Sequence, residues 1–126
     1  MAAGARFLAL ADRPSAVFCA NDETAIGFIS TLRAGGVECP RDVSVIGFDD
    51  IGMAKHFWPP LTTMRQPRET LGQAATSALI DILEGTAPTR GPLHLVLTSD
   101  LVVRASTARY RGGGVRARRR KESASL

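Results

Sequence analysis

The fold is decided by the stretch Val43-Ser44-Val45-Ile46-Gly47-Phe48-Asp49-Asp50, an apolar run that ends in two acids. Apolar, β-branched runs of this length are typical of strands that are buried on both faces, as in parallel sheets. Residues 16–20, Ala-Val-Phe-Cys-Ala, form a second compact apolar run, which is followed by Asn21 and Asp22. The sequence therefore predicts two buried strands, each followed directly by polar side chains.

The segment between these strands has the pattern of a helix. Residues 21–24, Asn-Asp-Glu-Thr, suit a helix N-terminus, where an Asn or Asp can cap free N–H groups and a further acid suits the positive end of the dipole. Ile26, Ile29 and Leu32 recur at helical spacing before a pair of glycines, residues 35–36, ends the helix. Strand, helix and strand in this order predict a right-handed crossover. We therefore predict an α/β fold with an open parallel sheet.

The flanking segments predict further elements. We expect a helix within residues 2–11, a helical turn within residues 52–57, and short strands at residues 61–64, 93–97 and 101–103. A longer helix is predicted for residues 67–84, with an apolar stripe formed by Leu71, Ala75, Ala78, Leu79 and Ile82.

The basic charge of the chain is concentrated at its C-terminal end. Residues 109–126 hold seven basic residues and one acid, a net charge of +6, whereas residues 1–108 hold nine basic residues and eleven acids, a net charge of −2. A Gly-rich, basic segment without a core pattern predicts a disordered, solvated tail rather than a nucleic-acid-binding domain.

The polar residues that follow the two buried strands form the candidate site. Ligands of open α/β sheets bind outside the carboxyl ends of the strands, so we expect Asn21, Asp22, Asp49 and Asp50 to converge there. An amide that donates and accepts, beside an ionised carboxylate, suits a neutral polyhydroxyl compound or an N–H-rich ring and repels phosphate. Structural roles stay open: Asn21 or Asp22 as a helix cap, and Asp50 as a turn former.

Two adjacent aromatic residues leave a further choice open. Phe57 and Trp58 precede Pro59 and Pro60. Such a pair stacks on a sugar face, forms a subunit contact or covers the core.

Composition and motifs exclude several classes. A chain of 126 residues with 44% hydrophobic residues supports one core, and it contains no apolar stretch of membrane-spanning length and no secretory signal, so we expect a cytoplasmic location. Two cysteines and two histidines are too sparse for a disulfide framework or a zinc site, and we expect reduced thiols, no metal and no cofactor. Nucleophile-elbow, Walker and dinucleotide-binding motifs are absent, and carboxylates in solvated caps seldom gain the raised pKa of a glycosidase acid, so we expect no enzyme.

Four separated blocks resemble one known family. Residues 13–22, 35–50, 59–67 and 101–107 read RPSAVFCAND, GGVECPRDVSVIGFDD, PPLTTMRQP and LVVRAST. In order and spacing, over about residues 4–108, they resemble the C-terminal part of the effector-binding domain of lactose-repressor (LacI/GalR) family transcription regulators.

The resemblance implies a periplasmic-binding-protein-like type I fold, a three-layer α/β architecture with an open parallel sheet. In that fold two lobes close on a small-molecule effector, often a sugar or a nucleobase, and a separate helix-turn-helix reads operator DNA. Residues 1–108 then form the C-terminal lobe, and helix 67–84 crosses toward a first lobe that has no counterpart here. The helix-turn-helix also has no counterpart here.

The resemblance also assigns roles to residues. It implies that Asn21 and Asp49 contact the effector, and that Asp22 and Asp50 are rim or cap residues. It places Phe57 and Trp58 on a homodimer surface. The alternatives are a sugar-binding protein of a transport system with the same fold, which should carry an export signal, and a carbohydrate-active enzyme.

Overall fold

The computed structural model describes residues 2–87, 94–110 and 115–116. A short 3-10 helix, Gly52–Lys55, follows the third strand. The helices and strands, in chain order, are α1 (Ala2–Ala9), β1 (Asp12–Arg13), β2 (Ala16–Phe18), α2 (Asp22–Ala34), β3 (Ser44–Phe48), β4 (Thr62–Arg65), α3 (Arg68–Glu84), β5 (Asp100–Val102) and β6 (Val115–Arg116).

Four strands form one sheet in the order β2-β3-β4-β5. The pairs β2–β3 and β3–β4 are parallel, as predicted, whereas β5 runs antiparallel to β4. The direction of β5 follows from the path of the chain, which leaves the sheet at Arg65 and returns at Asp100, the register partner of Arg65. A strand parallel to β4 would have to begin beside the amino end of β4, so the chain would first have to cross back to that end of the sheet.

The core lies between α2 and the sheet. Phe28, Ile29 and Leu32 of α2 are buried against Val43 and Val45 of the β3 region. The helix α1 packs beside α2, where the rings of Phe7 and Phe28 meet edge to face with centroids 5.4 Å apart. The predicted amphipathic crossover helix is therefore confirmed.

The opposite face of the sheet is open, so the predicted burial of the strands on both faces is wrong for the described residues: β2 alternates between exposed and half-buried positions, and β3 between half-buried and buried ones. Phe18 is 62% exposed and Leu101 is 54% exposed. Register pairs place both on the same face, through Ile46 and Phe48 of β3 and Met64 of β4. The described residues thus supply two of the three predicted layers, the sheet and the helices on one of its faces.

The helix α3 projects from the fold. Its bounds agree with the predicted helix, and it ends at Gly85, whose φ of +72° suits a residue without a side chain. No residue of α3 is buried, and Leu79 and Ile82 of the predicted apolar stripe are 56% and 61% exposed. In the described part of the chain this stripe has no apolar cover.

Two predictions about the C-terminal third need correction or stay open. The strand predicted at residues 93–97 is wrong for residues 94–97, which form no strand, and residue 93 lies outside the described residues. Val96 is 88% exposed, so no neighbouring strand among the described residues supplies the pairing that a strand needs. Of the predicted basic tail, residues 111–114 and 117–126 lie outside the described residues, and Val115–Arg116 pair antiparallel with Asp12–Arg13. Among the helices described, none combines the length and the apolar composition that a membrane span requires.

Candidate functional site

The carboxyl ends of β2, β3 and β4 share one edge of the sheet, because these strands are parallel. Phe18 of β2 and Ile46 of β3 are register partners. Asn21 lies three residues beyond Phe18, and Asp49 lies three residues beyond Ile46, so both follow the carboxyl ends of neighbouring parallel strands. The structure therefore brings the two strand ends together as the sequence predicts.

Asn21 is the N-cap of α2. Its backbone is extended, and its Oδ1 accepts a hydrogen bond from the Thr24 N–H at 2.8 Å. The capping alternative is thus confirmed for the oxygen. The Nδ2 group makes no hydrogen bond to any described residue, and the side chain is half-buried.

Asp22 lies inside the fold, and not at the rim or the cap as the resemblance implies. Its side chain has no exposed surface. One carboxylate oxygen accepts from the Thr63 hydroxyl at 2.5 Å, and the other accepts from the Ile51 N–H at 2.9 Å. The reason for the difference is Gly47, which lacks a side chain and leaves room for the carboxylate; a Cβ at this position would lie 2.2 Å from Asp22 Oδ1.

Asp49 lies half-buried at the edge of the sheet. Its N–H donates to the Met64 carbonyl at 2.8 Å, which holds the turn to the end of β4. The Gln66 side-chain amide donates to Asp49 Oδ1 at 2.5 Å. The φ of Asp49 is +110°, a region that residues with a side chain rarely adopt and that has to be held by surrounding bonds.

Asp50 is the centre of an ion-pair group. Its carboxylate accepts from Arg104 Nη2 at 2.5 Å and from Arg65 Nε at 2.6 Å. Burial raises the pKa of Asp50, but hydrogen bonds from Arg104 and Arg65 outweigh burial and bring the pKa below its usual value. With a φ of +52° Asp50 is a turn former, as one alternative predicted, and its carboxylate is occupied by the two arginines.

Besides Arg65, three residues that sequence reasoning missed hold this arrangement. Thr63, Gln66 and Arg104 bind Asp22, Asp49 and Asp50 respectively. Thr63 carried a signal, because a hydroxyl in a buried strand needs a hydrogen-bond partner and a buried acid nearby is one candidate. Gln66 and Arg104 carried no such signal, because both depend on which strand ends become neighbours.

Ser106 links the segment after β5 to the sheet. Its buried hydroxyl donates to the Val45 carbonyl at 2.6 Å and accepts from the Thr62 N–H at 2.8 Å. The Thr62 hydroxyl in turn accepts from the Arg104 N–H at 2.9 Å. Arg104 therefore approaches Asp50 from a backbone that is itself fixed.

Phe57 and Trp58 lie away from this edge. Phe57 packs against the core, and Trp58 is 74% exposed. An Arg33 guanidinium near the C-terminus of α2 donates to the Trp58 carbonyl, whereas Asn21 lies at the opposite end of the same 13-residue helix. This contact places the Trp58 backbone near the far end of α2, about 20 Å along the helix from Asn21, which argues against stacking of Trp58 on a ligand beside Asn21.

A shallow cavity of about 320 Å³ lies beside Trp58, lined by Ile29, Arg33, Val37, Glu38, Cys39 and Trp58. Burial raises the pKa of the Cys39 thiol to about 11. Cys19 and Cys39 are both free thiols. Within the described residues no three His, Cys, Asp or Glu side chains come close enough to hold a metal ion.

The polar groups that the protein leaves unused at this edge are few. Asn21 offers a free amide donor, and Asp49 offers carboxylate oxygens of which one already accepts from Gln66. The neighbouring acids, Asp22 and Asp50, have their oxygens engaged by protein groups. One donor and one acceptor in a fixed frame fit a ligand hydroxyl or ring N–H.

Comparisons with known proteins agree with this architecture. Residues 1–107 match the family of periplasmic binding protein-like domains. The HTH-type transcriptional repressor PurR of Photobacterium profundum is 41% identical over 101 residues, which are 80% of this chain and 30% of the repressor. The chain thus spans about a third of the length of this relative.

Two solved structures show the same fold. A transcriptional regulator CelR–cellobiose complex superposes with a TM-score of 0.68 at 39% identity, covering 73% of this chain and 28% of the regulator. The lac repressor dimer bound to operator and the anti-inducer ONPF superposes with a TM-score of 0.67 at 34% identity, covering 75% of this chain and 32% of the repressor. The chain therefore belongs to the periplasmic-binding-protein-like domain family, as its resemblance to part of a LacI-type effector-binding domain predicts.

Proposed function

We propose that the chain is the small-molecule-sensing and dimerisation part of a LacI-family transcription regulator, in which Asn21 and Asp49 contact the effector. The observation that carries the proposal is that the Asn21 amide and the Asp49 carboxylate follow the carboxyl ends of two neighbouring parallel strands. The relatives that the chain matches are transcriptional repressors, which favours this function over a sugar-binding protein of a transport system.

Binding without covalent chemistry fits the acids at this edge. A general acid of a glycosidase needs a raised pKa, whereas the pKa of Asp50 is lowered by its two arginines. Asp22 is fully enclosed by the protein. The proposed role is therefore recognition of a neutral sugar or nucleobase, with no enzymatic step.

Sensing by this part alone should be weak. The candidate site is one edge of one sheet, and the opposite wall of a two-lobed clamp would come from a first lobe. Operator DNA would be bound through a helix-turn-helix that is not part of these 126 residues. Closure of two lobes on an effector would then change the relative position of two DNA-reading heads in a homodimer.

The proposal is tested by titrating the ¹⁵N-labelled chain with cellobiose, glucose, adenine and guanine. At least one of these compounds should shift the amide signals of Asn21 and Asp49, with a dissociation constant of about 1 mM or weaker. Tight one-to-one binding by the monomer would contradict the need for a second wall. If none of the four compounds shifts the signal of either residue, the proposed site is wrong.

Matched variants separate contact from fold. Asn21→Ser keeps a good N-cap but lacks the Nδ2 donor, and Asp49→Asn keeps the shape and tolerates a positive φ but loses the charge. Each should weaken binding about tenfold, whereas Glu69→Gln, the same type of change as Asp49→Asn on the exposed first turn of α3, should leave it unchanged.

A further inference from the structure

We infer that Asp22 is a positioning residue, whose buried carboxylate joins the N-terminus of α2, the loop after β3 and strand β4 and thereby fixes Asn21 and Asp49 relative to each other. The inference rests on the proposed function in one respect only, namely that Asn21 and Asp49 are the residues that contact a ligand. The positioning itself follows from bonds within the protein.

The two oxygens of Asp22 bind two different elements. Oδ1 accepts from the Thr63 hydroxyl of β4, and Oδ2 accepts from the Ile51 N–H in the loop after β3. Asp22 is itself the first residue of α2. One side chain therefore connects three parts of the fold that are distant in sequence.

The connection between the two candidate contacts is short. Asn21 precedes Asp22 directly, and Asp49 lies two residues before Ile51. Asn21 and Asp49 are thus linked through a single hydrogen bond, the one from the Ile51 N–H to Asp22. Movement of the loop after β3 relative to α2 has to break this bond.

The loop after β3 needs an anchor of this kind. Asp49 and Asp50 have φ values of +110° and +52°, which residues with a side chain adopt only when surrounding bonds hold them. The Asp49 N–H is held by the Met64 carbonyl on one side of this strained pair. The Ile51 N–H, held by Asp22, is the anchor on the other side.

The sequence is adapted to this carboxylate. Gly47 lies within the central strand β3, where a glycine costs conformational entropy and loses side-chain packing. A Cβ there would lie 2.2 Å from Asp22 Oδ1 and 3.2 Å from Asp22 Cα. An acid that served only the helix dipole would work equally well in solvent, whereas Asp22 has no exposed surface.

The experiment compares Thr63→Val, which has nearly the same shape without the hydroxyl, with Thr63→Ser, which keeps the hydroxyl. Asp22→Ala removes the acceptors for both the Ile51 N–H and the Thr63 hydroxyl. In ligand-free protein, Thr63→Val and Asp22→Ala should shift the amide signals of Asn21, Asp49 and Ile51 and raise the hydrogen-exchange rate of Ile51 at least about tenfold. Thr63→Ser should leave these signals close to those of the unchanged chain.

A control with a purely structural defect is Val43→Ala, which truncates the buried residue that directly precedes β3, at the end of the strand away from Asp49. Under conditions in which every variant is fully folded, the probe among cellobiose, glucose, adenine and guanine that binds best should bind Thr63→Val about tenfold more weakly. Its affinity for Thr63→Ser and Val43→Ala should be unchanged within about twofold. Loss of affinity in Val43→Ala equal to that in Thr63→Val would overturn the positioning role.

The two proposals fail in different ways. If none of the four probes binds the unchanged chain, the proposed function fails, and the ligand-free signals still decide the role of Asp22. If Asp22→Ala does not fold, the Thr63→Val and Thr63→Ser pair decides it through the exchange rate of the Ile51 N–H, because Thr63→Val also removes the acceptor 3.4 Å from the Asp50 N–H. Unchanged Asn21, Asp49 and Ile51 signals in Thr63→Val would overturn the inference whatever the probes do.

Discussion

Replacing Arg104 by methionine tests whether the largely buried ion pair between Arg104 and Asp50 stabilises the fold at the candidate site. Arg104 Nη2 donates to the Asp50 carboxylate and Nη1 donates to the Leu61 carbonyl at 2.8 Å. The side chains of Arg104 and Asp50 are only 15% and 10% exposed. Methionine has a similar length and fills the space without donating to either oxygen.

The cost follows from the two lost bonds. A hydrogen bond to a charged group contributes about 1.5–3 kcal/mol, and a buried carbonyl left without a donor costs about 1–3 kcal/mol. Leu61 has no exposed surface, so water does not replace the second bond easily. Because Arg65 still pairs with Asp50, we expect the lower part of the combined range, a loss of about 2.5–4 kcal/mol in the free energy of unfolding.

Urea unfolding followed by circular dichroism measures this loss, and the matched control is Arg65→Met. Arg65 binds the same carboxylate, but its side chain is 55% exposed, and exposed ion pairs contribute about 1 kcal/mol or less. If the free energy of unfolding falls by less than about 1 kcal/mol in Arg104→Met, the ion pair does not stabilise the fold as argued. If Arg65→Met and Arg104→Met lose equal amounts, burial of Arg104 is not what makes its bonds strong.

Three further predictions concern pH, the projecting helix and association. Because the arginines keep the pKa of Asp50 low in the folded state, ionised Asp50 stabilises the fold above the ordinary aspartate pKa, and this stabilisation disappears as pH falls through the lowered pKa. At neutral pH, Asp50→Asn should therefore unfold at a lower urea concentration than the unchanged chain. A difference in stability that persists at strongly acid pH would contradict this. Leu83→Gln, at a position that is 77% exposed on α3, should change the free energy of unfolding by less than about 0.5 kcal/mol, whereas Leu32→Ala in the core should cost about 2–5 kcal/mol by the same measurement, and equal losses would show that α3 is packed. Trp58→Ala should raise the dissociation constant of a dimer in sedimentation experiments at least about tenfold, since large aromatic residues dominate interfaces, and an unchanged dimer would place the interface elsewhere.

The sequence predicts the part of the fold that depends on local patterns. The position of the strand at residues 44–48, the capped helix α2 and the glycine that ends α3 all follow from apolar spacing and cap residues. The predicted burial of this strand on both faces is wrong, because no described element covers its second face. The edge strand β5 lies within one residue of its predicted position, but its direction depends on where the chain re-enters the sheet. The strand expected at residues 93–97 shows the same limit, because an apolar run forms a strand only where a partner strand is available.

The candidate site divides along a similar line. Asn21 and Asp49 could be predicted at one edge, because the carboxyl ends of parallel strands coincide. The division of roles, in which Asn21 caps α2 and Asp22 is buried, could not be predicted, because any acid in the first turn of a helix suits the dipole equally well. Only the approach of β4 shows that Asp22 faces Thr63 and not solvent.

The bonds of the edge also bear on how sensing would be transmitted. Gln66, which donates to Asp49, is the residue that follows β4 and lies two residues before α3 begins. The chain leaves the sheet at Arg65, a partner of Asp50, and returns at Asp100. If Asp49 contacts an effector as proposed, that contact reaches the segment before α3 through one hydrogen bond, the one that Gln66 donates.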